Sequence, residues 1–392
     1  MTPVYLHDAV RTPRGKARAD GGLAALRPGQ LVAGQVAALE RRGSGDARAA
    51  DALILGCVGQ TGAQGGHIAL VARLEAGLPD TMPALSINNY CTSGLTAIGM
   101  AAAQIAAGQA GHVLAGGVEM MSRVPFMGDR ADYYTDAALP ADRRYIPVVL
   151  AADRLADALG IGRDELDAVA LMSQQRAAAA EHDPRLNASR VATAGLAREE
   201  CIRPATTAEA LAALPPAFGA LQDDYAEALE GRRFAPRHTL GHAPPVCDGA
   251  ALALLSGDGG GRPRARILAY AEGAASPAAG LTGGLDAMAR ALSRAGLDLR
   301  DIERIEFMEA FAVTAALFLR DRRVDPGRVN VGGGHIAKGH PLGASGAILL
   351  SSLLDSLDHG GASLGMVVTS GASGVGAAMI VQRLNPGPDS DD

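Results

Sequence analysis

The stretch Ala84-Leu85-Ser86-Ile87-Asn88-Asn89-Tyr90-Cys91-Thr92-Ser93-Gly94-Leu95 decides how this chain is read. A short apolar strand runs in, and a helix of small residues, 96–107, runs out. The turn between them sets a thiol at a helix N-terminus. Unpaired N–H groups and the positive end of the helix dipole favour an anion there. A thiolate forms more readily in such a place, and the thiolate is the nucleophile. The expectation is a chain that takes an acyl group onto the sulfur of Cys91.

Outward from this turn, β-like runs alternate with Ala-rich helical stretches, the signature of an α/β fold. Strands are expected at 4–10, 52–58, 84–88 and 112–119, with helices at 30–41, 67–76 and 94–107. The last third repeats the scheme, with strands at 265–272, 304–309, 328–331, 364–370 and 377–384 and helices at 284–294, 311–320 and 343–357. Ser93-Gly94 opens a helix leading to Val113-Leu114-Ala115-Gly116-Gly117, and Ser345-Gly346 one leading to Met366-Val367-Val368-Thr369-Ser370-Gly371. This echo suggests two similar α/β halves. The middle differs: 123–147 reads as a loop excursion, 151–159 and 163–181 as helices, and 204–245 as irregular with one helix at 222–230. The expected units are 1–122, a loop domain at 123–245, and 246–392, ending in a disordered tail from 385 on.

Composition narrows the function. The 392 residues are 48% hydrophobic, ample for a large core, and only 3% aromatic. A net charge of −6 and few aromatics exclude a basic or stacking nucleic-acid platform. Arg pairs at 41–42, 143–144, 232–233 and 322–323 read as solvated surface among acids. The four cysteines lack CxxC spacing, no run approaches the roughly 18 apolar residues a membrane span needs, and the start lacks a signal peptide's pattern. A cytoplasmic, soluble protein with no nucleic-acid or membrane partner is expected.

A second chemical cluster is Gly332-Gly333-Gly334-His335-Ile336-Ala337-Lys338-Gly339-His340-Pro341-Leu342-Gly343-Ala344-Ser345-Gly346. Gly339-His340-Pro341 fixes an imidazole just before a helix, where it can polarise a thioester oxygen or take a proton from Cys91. His335 and His340 lack the further ligands of a zinc site, so no metal is expected. No Lys-Ser/Thr follows the triple glycine as in a phosphate loop. Glu309, at a strand end, is expected to orient other groups. The small residues of Thr369-Ser370-Gly371-Ala372 let a substrate approach backbone N–H groups.

Together these segments resemble the thiolase family over nearly the whole chain. Asp8–Lys16 is similar to its first strand and turn, Asn88–Leu95 to its nucleophile motif, Ala115–Ser122 to the segment after its buried helix, Asp248–Ala251 to the return to the core, and Gly339–Gly346 to its histidine motif. The resemblance implies two α/β halves in five α-β-α-β-α layers with an inserted loop domain, assembled as a homodimer or homotetramer. It implies acyl transfer on coenzyme A or carrier-protein thioesters, which serve as substrates with no permanently bound cofactor. Cys91 would be acylated, His340 would activate it, and the acyl group would pass to coenzyme A or to the α-carbon of a second acyl thioester. The chain departs from the family pattern at Met308, where an Asn or His is usual, and at Ser370, in the place of a second cysteine. Pro244 replaces a frequent substrate-contacting serine, and the resemblance implies that His242 and Pro244 contact substrate. Methionine donates no hydrogen bond, so Met308 alters the oxyanion side, with Glu309, Gly371 and His335 around it. Ser370 or His335 is then the candidate base at the α-carbon. Alternatives of another class are a catalytically silent assembly subunit and a decarboxylating ketosynthase-like enzyme.

Overall fold

Leu53, Ile54 and Leu55 are all wholly buried, because the strand that carries them is covered on both faces. The structure is a computed structural model that describes residues 2–385. Its strands are β1 Val4–Arg11, β2 Gly15–Lys16, β3 Ala52–Gly56, β4 Ala84–Ile87, β5 His112–Met120, β6 Cys247–Ser256, β7 Ala265–Ala274, β8 Arg304–Phe307, β9 Leu364–Ser370 and β10 Val375–Arg383. Its α-helices are α1 Pro28–Arg41, α2 Ile68–Glu75, α3 Ser93–Ala106, α4 Val148–Ala158, α5 Arg163–Ala180, α6 Ala208–Ala212, α7 Leu221–Asp224, α8 Gly283–Ala295, α9 Ala312–Arg322, α10 His335–Lys338 and α11 Ser345–Gly360.

The sheet order is β4-β3-β5-β6-β1-β7-β10-β9-β8, with β2 on β6. It is two copies of one pattern. Along β1-β6-β5-β3-β4 the pairings run antiparallel, antiparallel, parallel, parallel. Along β7-β10-β9-β8 they run antiparallel, antiparallel, parallel, and a parallel bridge from Ile305 to Val329 supplies the last step. Three residue pairs between β1 and β7 join the halves.

Alternation along the strands builds the layers. Leu53, Leu55, Leu114 and Leu252 pack outward with Leu31 and Val32 of α1 and Ile68 of α2. Ile54, Val113, Ala115 and Ala253 face the central core with α3 and α11. Helix α8 covers the far side on β7, β9 and β10. The central helices cross on glycine: a Cβ on Gly94 would lie 2.7 Å from Gly343 O, and one on Gly346 2.7 Å from Leu95 N. This close approach carries the turn before α3 and the turn before α11 to one place.

Three expectations are corrected. The strand expected at 328–331 is a single bridge, because the Asn330 side chain pairs with both backbone groups of Phe307 at 2.8 and 2.9 Å in a strand's stead. The helix expected at 222–230 is one turn, Leu221–Asp224, followed by irregular chain with Glu230 at φ 56°. The unit expected to begin at 246 opens with β6, which pairs with β1 and β5 and so completes the first half. The tail beyond 385 lies outside the described residues.

Candidate active site

Cys91 sits where β4 ends and α3 begins. The turn is tied locally. The Asn88 side-chain oxygen accepts from Tyr90 N at 3.0 Å, Ser93 Oγ accepts from Asn89 N at 2.8 Å, and Thr92 Oγ1 donates to Asn89 O at 2.7 Å. Tyr90 holds φ 46°, a left-handed conformation disfavoured for a side chain of that size. Gly371 lies against the turn, where a Cβ would stand 3.2 Å from Cys91 N.

His340 enters from the second half. Gly339, at φ 100°, makes the bend before it, and its carbonyl accepts from Arg14 at 3.3 Å. His340 N donates to Pro245 O at 2.9 Å, and its Nδ1 meets Ser345 Oγ at 2.8 Å. Nε2 carries no protein hydrogen bond among the described residues. Cys91 and His340 line one cavity of about 410 Å³, together with Glu119, Pro244, Leu342 and Ala372.

The electrostatics differ from the thiolate expected at a helix N-terminus. Burial, with Glu119 nearby, pushes the Cys91 thiol up to about 12, although the N–H groups of Ala372 and of Cys91 itself pull the other way. Burial and the Arg14 charge push the His340 imidazole down to about 3. Both shifts favour the neutral forms, a thiol and an imidazole on one cavity wall. The N–H groups of Ala372 and Cys91 point at the sulfur without outweighing its burial.

Glu119 escaped the sequence reading, where it stood only inside a resembling segment. Its carboxylate accepts from Val58 N at 2.8 Å, Gly59 N at 3.0 Å, Gln64 Nε2 at 2.7 Å and Gly343 N at 3.0 Å. Three of these donors come from the first half and one from the histidine turn of the second. Glu119 therefore pins the His340 turn against the Cys91 side. Burial raises its pKa, and the four donors oppose that rise. A carboxylate inside the end of an otherwise apolar strand was the available signal.

The other expected site residues fall outside the cavity wall, Pro244 excepted. Ser370 turns toward α8, and its Oγ accepts from Gly284 N at 3.0 Å. His335 is wholly buried behind His340, edge-on with ring centroids 5.0 Å apart, and neither ring nitrogen has a partner among the described residues. Met308 is buried in the core. Glu309 accepts from Ser173 Oγ at 2.8 Å, Asn330 Nδ2 at 3.0 Å and Ile336 N at 3.0 Å, so it fastens the histidine loop to α5 and β8. The His242 ring is used structurally: Nε2 meets Asp167 at 2.6 Å and Nδ1 accepts from Thr239 N at 3.1 Å. Burial lowers its pKa to about 4. Beneath the site, Arg14 grips Glu199 at 3.1 and 3.2 Å. Burial pushes Glu199 up, but Arg14, Lys338 and Arg190 outweigh it and hold it at about 2.

Comparison with known proteins agrees with this architecture. Residues 4–257 match the thiolase N-terminal domain and residues 261–383 the thiolase C-terminal domain. The chain is 36% identical to a β-ketoadipyl-CoA thiolase of Pseudomonas knackmussii, over 97% of this chain and 99% of that one. It is 34% identical to a 3-ketoacyl-CoA thiolase of Bacillus subtilis, over 97% and 100%. Its fold superposes on a Bacillus anthracis acetyl-CoA acetyltransferase with a TM-score of 0.85 at 28% identity, covering 98% and 99%. A duplicated α/β half, a thiol and an imidazole brought from the two copies to one cavity, and matches across almost every residue converge: the chain belongs to the thiolase family.

Proposed function

We propose that the protein is an acyltransferase that forms an acyl-thioester on Cys91 from an acyl-CoA. It then passes the acyl group to coenzyme A or to the α-carbon of a second acyl thioester, by 3-ketoacyl-CoA thiolysis or Claisen condensation. The observation that carries this reading is the shared cavity of Cys91 and His340, one from each half.

The chemistry follows from two neutral groups. With Nδ1–H donated to Ser345 Oγ, the His340 Nε2 lone pair is free for the thiol proton. As the sulfur attacks the thioester carbon, that proton moves to His340. The carbonyl oxygen gathers charge beside the N–H groups of Cys91 and Ala372. Removing one such donor typically slows a reaction by 10²–10³. When the bond to the coenzyme A sulfur breaks, His340 returns the proton to the leaving thiolate. Coenzyme A thioesters are substrates here, not resident cofactors. Ser370 and His335 stand off the cavity, so among the described residues His340 is the imidazole available to both half-reactions.

Exchange of isotopically labelled coenzyme A into unlabelled acyl-CoA reads the first half-reaction alone. The expected result is exchange by the native chain, none by Cys91→Ala, and a rate lower by on the order of 10²–10⁴ in His340→Ala. Exchange persisting in Cys91→Ala would overturn the reading.

A homodimer through β4 belongs to the same proposal. β4 is the sheet's edge strand and only half-buried, with Leu85 40% exposed. An open edge strand is a template for pairing with another chain. A cytoplasmic, reducing setting suits four free, buried thiols.

A further inference from the structure

The chain has seven Tyr, six Phe and no Trp. Three of each line the Cys91 cavity: Tyr90, Tyr134, Tyr145, Phe126, Phe218 and Phe311. A protein this poor in aromatic side chains has concentrated them around its nucleophile.

The tyrosines press on the acyl position. Tyr90 adjoins Cys91 in sequence, and Tyr134 and Tyr145 form a cluster with Ala372, whose N–H faces the sulfur. Their rings are tilted at 53° with centroids 4.9 Å apart. Their hydroxyls are turned to protein partners. Tyr134 donates to Asp129 at 2.9 Å, and Tyr145 points at the Met127 sulfur at 3.8 Å. What remains for a ligand is ring face and edge. Such walls favour another ring, which packs offset or edge-to-face and gains energy beyond its buried area.

Charge points the same way. Of the two carboxylates on the cavity, Glu119 is saturated by four donors. Asp129 accepts from Tyr134 and has no cation partner among the described residues. The guanidinium on the wall belongs to Arg203, in an exposed stretch. An acyl chain ending in a carboxylate and lodged among the tyrosines would stand beside Asp129, whose partner Tyr134 brings no positive charge. Two like charges held close on one cavity wall repel. The β-ketoadipyl-CoA thiolase relative is named for a substrate with such an end.

Resting on the acyltransferase reading above, we propose that the acyl group carried by Cys91 is uncharged and ring-bearing, of the aroyl or arylalkanoyl class, and that Asp129 excludes acyl groups with a terminal carboxylate. The test loads the full-length protein with acetyl-CoA, hexanoyl-CoA, phenylacetyl-CoA and adipoyl-CoA and follows the acyl adduct by intact mass. Phenylacetyl-CoA should load fastest, and faster than adipoyl-CoA by about 100-fold or more. Asp129→Asn, which keeps an acceptor for Tyr134, should raise the ratio of adipoyl to acetyl loading about tenfold. Tyr145→Leu should lower the ratio of phenylacetyl to acetyl loading about tenfold. Adipoyl-CoA loading as fast as phenylacetyl-CoA, or an unchanged ratio in Asp129→Asn, would overturn the proposal. Loading in the wrong order defeats this substrate class alone, whereas no loading by any thioester defeats the acyltransferase reading beneath it.

Discussion

A buried thiol pushed up to about 12, sharing a cavity with an imidazole pushed down to about 3, would ionise only in the act of reacting. At pH 7 such a thiol stays protonated. The sign of the pH dependence follows. A raised thiol pKa means that reactivity toward a small alkylating agent grows as pH rises toward it. Alkylation of Cys91 by iodoacetamide should therefore increase about tenfold per pH unit from 7 to 10, without a plateau, as peptide mapping of the modified cysteine would show. A plateau already reached below pH 7 would mean a preformed thiolate–imidazolium pair, as the helix N-terminus alone suggested. At this scale Cys91 and His340 were legible because a turn, a helix start and flanking glycines mark them. Glu119 was not, since its donors at 58, 59, 64 and 343 converge only in the fold. Ser370 was misleading for the opposite reason. A strand's last residue can point to either face, and the first turn of α8 claims this hydroxyl.

The elements were easier to read than their partners. β1, β3, β4, β5, β7, β9 and β10 each fall within about two residues of their expected ends, because each is a short apolar run between turn residues. β6 was missed as a strand. Cys247-Asp248-Gly249-Ala250-Ala251 opens with polar and small residues, and the run is buried throughout only because β1 and β5 flank it. The loop segment 204–245 could not be read from periodicity. Its backbone is held by particular side chains, such as Asp153 accepting from Arg237 N and His238 N at 2.9 and 2.8 Å, and Gln222 bracketing Phe234. That same region brings Phe218, Leu240 and Pro244 to the cavity, so one stretch of the cavity wall comes from the segment least visible in sequence.

For the whole molecule, duplication is what makes the chemistry possible. Each half ends a parallel strand or bridge in a turn that feeds a central helix, and glycines let α3 and α11 approach until the two turns share one cavity. The open edge at β4 extends the argument to assembly. The native chain should sediment at twice its own mass, and Leu85→Lys should shift it toward the monomer by placing a charge on that edge. An unchanged dimer in the variant would move the interface elsewhere. The account as a whole depends on one bond, between an acyl carbon and the Cys91 sulfur. The most direct measurement is to quench the protein after mixing with acyl-CoA, digest it and map the adduct by mass spectrometry. The account predicts one acyl group per chain, on the peptide containing Cys91 and absent in Cys91→Ala. An adduct on another residue, or none while coenzyme A is still released, would contradict it.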